Sequence, residues 1–199
     1  MRILAKILFS VTIGLAIILS SVSVSEAKYM GIVFKQDAKG FTFNTASNRE
    51  WLKNHIQSKL KEHGEYWTIE WKDANSLTGW QYTDELARAA ANWDPNAYGL
   101  VVIIDECFIN HTDFSHWRTG HVDLKDPFVG VNLWLYRGDG EPVHLAGCSK
   151  HLTNRQESDE KLFNYLFRKC SVQNWDDFIM KTLFPVQEKP KGNYFEDYM

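Results

Sequence analysis

Apolar residues recur along this chain with two periods, and the changes from one to the other mark out its elements. Leu100-Val101-Val102-Ile103-Ile104 is an unbroken aliphatic run, too short to span a membrane, and reads as a strand buried on both faces. With its flanks it forms the predicted central strand, 98–106. Tyr29 to Phe34 is a second apolar run and the first strand. Trp51, Leu52, His55, Ile56, Lys59 and Leu60 then recur at helical spacing, after caps offered by Asn44 to Ser47 and before a stop at Gly64. Tyr66 to Trp71 alternates and is rich in β-formers.

Thr83, Asp84 and Glu85 predict the start of a second helix, in which Leu86, Ala87, Ala90 and Ala91 make a small-residue face suited to close packing on a sheet. Asp94-Pro95-Asn96 ends it. After the central strand comes a polar segment, then a strand over Val129 to Tyr136, whose Gly130 and Asn132 mark it as less buried. Arg137-Gly138-Asp139-Gly140 supplies turn residues, so this strand and Pro142 to Gly147 predict a hairpin. Ser158 or Asp159 opens a helix with Leu162, Phe163, Leu166 and Phe167 on one face, and a further helical piece runs from Trp175 to Leu183. The order β-α-β-α-β-β-β-α predicts one α/β domain of two or three layers around a mixed sheet.

The ends of the chain change the picture. Arg2 and Lys6, the apolar stretch Ile7 to Leu19 and the small-x-small Ser25-Glu26-Ala27 have the pattern of a signal peptide over 1–27, with an uncleaved anchor as the alternative. The domain is then 28–184, exported to the periplasm or beyond, with no membrane span after cleavage, and 185–199 is expected to be a mobile tail. A net charge of −3 argues against a general nucleic-acid surface. Of the eight tryptophans, Trp51, Trp67, Trp71, Trp80 and Trp93 fall in the first half, and most are expected in the core. Three cysteines leave at least one thiol over. A Cys107 to Cys148 bridge and three buried free thiols are both open.

The helix, the Asn96-Ala97-Tyr98 turn into the central strand and the Asp139-Gly140-Glu141 turn between later strands resemble the periplasmic α/β domain of the curli-secretion and penicillin-binding-protein-activator lipoproteins. That domain is related in shape to the amino-terminal domain of TolB. The resemblance covers the element order from Met30 to Leu183, and it implies a non-catalytic domain for envelope assembly or partner binding. The chain departs from that group in lacking a lipidated cysteine and in inserting the polar segment after the central strand.

That segment carries the rival chemistry. His111, Asp113, His116, His121 and Asp123 are ligand types for zinc or another divalent metal, within reach of one loop, although their spacing matches no established metal motif. An ordinary solvated loop is the plainer expectation. Asp105 and Glu106 close the central strand where open α/β sheets place binding groups, and Glu106 is the candidate general base if the protein is an enzyme. No catalytic motif accompanies them, so the function expected is binding of an envelope protein or cell-wall component. Trp80, Tyr82, Trp117 and Trp134, aromatic residues near polar loops, are the expected contacts.

Overall fold

A computed structural model describes residues 28–36, 41–73, 82–116, 120–152 and 158–185, the side chains of 111–124 standing outside that description. The expected signal peptide, most of the expected tail, Trp80 and Trp117 lie outside the described residues. The elements are β1 (Tyr29–Gln36), α1 (Ala46–Glu62), β2 (Thr68–Trp71), α2 (Thr83–Ala90), β3 (Tyr98–His116), β4 (Gly120–Arg137), β5 (Pro142–His151) and α3 (Asp159–Val172). The helix α3 continues into a π-helical stretch, Gln173–Ile179, and a last turn, α4 (Met180–Leu183). Among the described residues no helix is long and apolar enough to cross a membrane.

The sheet runs β2-β1-β3-β4-β5, with β1 parallel to β2 and β3, and β3, β4 and β5 antiparallel in turn. It is the expected α/β domain with a mixed sheet and β3 at its centre. Because the chain steps from β1 to β2 on one side and back to β3 on the other, right-handed crossovers place α1 and α2 on opposite faces.

One face holds most of the core. Met30, Ile32 and Phe34 of β1, Leu100, Val102 and Ile104 of β3, and Val129, Val131, Leu133 and Leu135 of β4 pack beneath Leu52, Ile56 and Leu60 of α1 and Phe163, Leu166 and Phe167 of α3. Thr45 caps α1, its hydroxyl accepting from the Asn48 amide at 3.2 Å, and Gly64 leaves the helix at a φ of +75°. In the π stretch Trp175 is buried, and the Asn174 side-chain amide donates to the Val131 carbonyl at 2.9 Å, tying the helix to the sheet. The opposite face carries a smaller cluster, in which Leu86, Ala87 and Ala90 of α2 meet Val33, Val101, Ile103 and Tyr136.

Several boundaries differ from those expected. The polar segment is not a loop: β3 runs on to His116 and pairs with β4 down to His116 opposite Gly120. A ribbon that outruns its neighbours satisfies its backbone across one ladder and does not require the apolar alternation by which strands are recognised. The strand expected at Tyr66 starts at Thr68, and the cap of α2 is Tyr82 rather than Thr83. That helix ends before Asp94, through Asn92 and Trp93, both with positive φ. The last helical piece is no separate element but the continuation of α3.

Candidate functional site

The strand β3 carries an irregularity where it leaves β1. Ile104 pairs with Val131 and Glu106 with Gly130, so Asp105 is an extra residue, a β-bulge. The bulge brings two successive carboxylates to one face. A Cβ placed on Gly130 would lie 2.6 Å from Asp105 Oδ1 and 3.4 Å from Glu106 Cβ, so the glycine makes room for both. The Asn132 amide nitrogen donates to Asp105 Oδ2 at 2.9 Å, while Asn132 Oδ1 lies across Gly147 of β5.

This group sits on the face that α2 covers only near β1 and β3. Alternation along β4 puts Phe128, Gly130, Asn132, Trp134 and Tyr136 on it. Tyr136 is buried under α2, and Trp134 is half-buried against the same small cluster. Opposite Trp134 on β5 stands Leu145, 50% exposed. At the other end Phe108, 45% exposed, stacks on Phe128 with ring centroids 4.9 Å apart. The result is an open strip with apolar ends and a polar middle of Asp105, Glu106 and Asn132. Such a surface offers directional hydrogen-bonding groups between apolar anchors, the composition of a contact site.

Of the expected contacts, Trp134 lies on this strip. Tyr82 is 67% exposed at the start of α2. Of the tryptophans expected in the core, Trp67 is buried, Trp51 and Trp71 are partly buried against the core cluster, and Trp93 is exposed beside Arg88. Sequence reasoning missed Phe108 and Leu145, which reach this face through the β3–β4 and β4–β5 registers, opposite Phe128 and Trp134.

For the metal candidates the ladder gives register alone. Asp113 is the cross-strand partner of Asp123, His111 of Lys125, Ser115 of His121 and His116 of Gly120. Alternation therefore places positions 111, 113, 121 and 123 on one face of the ribbon and 116 on the other.

Cys107, Cys148 and Cys170 are free thiols. The expected Cys107 to Cys148 bridge meets an obstacle in the strand order, since β4 lies between β3 and β5. Two ladder spacings, roughly 10 Å, exceed what a disulfide spans. Burial pushes the Cys107 thiol up, against a hydrogen bond from the Phe41 backbone.

No protein-family model matches the sequence, and no curated protein does. Among solved structures, a minor lipoprotein from Acinetobacter baumannii is 10% identical with a TM-score of 0.34, covering 77% of this chain and 91% of that one. Rare lipoprotein B from Shewanella oneidensis is 8% identical with a TM-score of 0.34, covering 78% and 97%. A hypothetical protein from Chlamydia trachomatis is 8% identical with a TM-score of 0.39, covering 76% and 98%. Two of the three are bacterial lipoproteins.

Proposed function

We propose that this chain is an exported envelope protein that binds a protein partner on the open face of its sheet and catalyses no reaction. The observation that carries the reading is the strip from Phe108 and Phe128, past Asp105, Glu106 and Asn132, to Trp134 and Leu145. Export rests on the signal-peptide pattern of 1–27. Asp105 and Glu106 are both exposed, whereas acid–base chemistry gains from a site that excludes water. The exposed Phe108 and Leu145 are apolar anchors of the kind protein interfaces use. The test uses purified mature protein and the double variant Phe108→Ala, Leu145→Ala, cross-linked to envelope extracts and, separately, sedimented with cell-wall sacculi. A protein retained by the parent and weakened about tenfold in an equally stable double variant is expected. Equal capture by both, or sedimentation with sacculi alone, would overturn the assignment.

A second reading has its own observation. Asp113 and Asp123 are register partners in the β3–β4 ladder, and carboxylates at directly opposed ladder positions are a setting that a cation favours. On this reading the ribbon binds zinc or another divalent metal through these two carboxylates with His111 and His121. Elemental analysis should then find near-stoichiometric metal that is lost in Asp113→Asn, Asp123→Asn. Metal-free protein whose melting point is unmoved by added zinc counts against it.

A further inference from the structure

Two of the three thiols share one patch of the core face. Cys148 stands on β5 opposite Val131 of β4, and its Sγ lies 3.4 Å from Gln173 Oε1. Cys170, wholly buried on α3 one turn before Gln173, points its Sγ at the Val129 carbonyl, 3.9 Å away. Val129 and Val131 are alternate residues on the same face of β4, so helix and strand bring both sulfurs to the same few ångströms of sheet. After burial itself, Cys148 is the neighbour that acts most on the Cys170 thiol, pushing it up. β4 lies between the strand of Cys107 and β5 and so keeps Cys107 from Cys148, and of the other two thiols it is Cys148 that acts on Cys170.

We infer that Cys148 and Cys170 are a disulfide-forming pair, which closes when the protein meets a small-molecule or protein disulfide and then staples β5 to α3. Accessibility orders the steps. Cys148 is partly exposed and Cys170 is not, so the Cys148 thiolate attacks the oxidant first. With oxidised glutathione, one glutathione thiolate leaves and Cys148 is held in a mixed disulfide. The Cys170 thiolate then attacks Cys148 Sγ and expels the second glutathione. Two electrons reduce the oxidant, and the two protons given up by the cysteines end on the two glutathione thiols. Burial, and next the neighbouring Cys148, push the Cys170 thiol far up, so the closing step is slow at neutral pH and quickens as pH rises.

The test is to incubate reduced, purified protein with oxidised glutathione at mildly alkaline pH, alkylate it under unfolding conditions and map its peptides by mass spectrometry. The expected product joins the Cys148 and Cys170 peptides, two hydrogens lighter, with Cys107 alkylated. Cys107→Ser should form the same link and Cys148→Ser none. The oxidised protein should melt several degrees higher, returning on reduction. A bond involving Cys107, disulfide-linked dimers only, a glutathione adduct at Cys148 that never closes, or three alkylatable thiols would each overturn the inference.

Discussion

Glu65 accepts the Trp67 indole N–H at 2.9 Å, and both its oxygens receive the Lys28 ammonium at 3.1 Å. The indole bond first, and Lys28 after it, hold the carboxyl below its ordinary 4.5 against the opposing pull of partial burial. Lys28 also lies over the Trp67 ring, 5.5 Å from its centre, so one cluster ties the start of β1 to the approach to β2. A carboxyl with a depressed folded pKa contributes stability that is present above its unfolded value and lost as pH falls through the folded one. Glu65→Gln should therefore cost about 1 kcal/mol at neutral pH. The difference should shrink below pH 4.5 and vanish once both forms are neutral. Urea midpoints for the two proteins from neutral pH down to about pH 3 check this, and a gap independent of pH would contradict it. At this scale the sequence is informative where chemistry is local. The helix caps at Thr45 and Gly64 are readable from residue type, whereas the partnership of Glu65 with Lys28, 37 positions away, is not.

Between elements, the docking of α2 depends on the absence of side chains. A Cβ on Gly31 would come 1.9 Å from the Ala90 carbonyl oxygen, and one on Gly99 equally close to that of Ala87. The small face of α2 thus meets glycines on the sheet, and backbone rests on backbone. Gly99→Ala forces helix and strand apart and should cost about 3 kcal/mol. Gly147→Ala serves as the control, since its Cβ would meet only the movable Asn132 side chain, and it should cost under about 1 kcal/mol. Denaturant titration of both variants measures the difference, and equal losses would show that the contact is slack. The small-residue stripe on α2 was legible because helical period exposes it. The β3–β4 ribbon was not, because its residues are polar and the pairing that makes them strands is visible only once both strands are placed.

The two faces of the whole molecule are unequally covered. The helices α1 and α3 and the π stretch close over one face, while α2 spans only part of the other, leaving the strip from Phe108 to Leu145 uncovered by any described helix. A surface strip of this kind can be altered without touching the main core, which lets binding be separated from stability. Element order, the buried character of Leu100 to Ile104, the hairpin through Gly138 to Gly140 and the apolar face of α3 were all determined by the sequence itself, through periodicity and turn chemistry that act over a few residues. Which strands are neighbours was decided only in three dimensions. That choice inserts β4 between Cys107 and Cys148 and brings Cys148 and Cys170 over neighbouring core-face residues of β4. It also displaces Asp105 into a bulge and gathers it with Glu106 and Asn132 over two glycines. These features rest on register between segments far apart in the chain, and no local pattern encodes register.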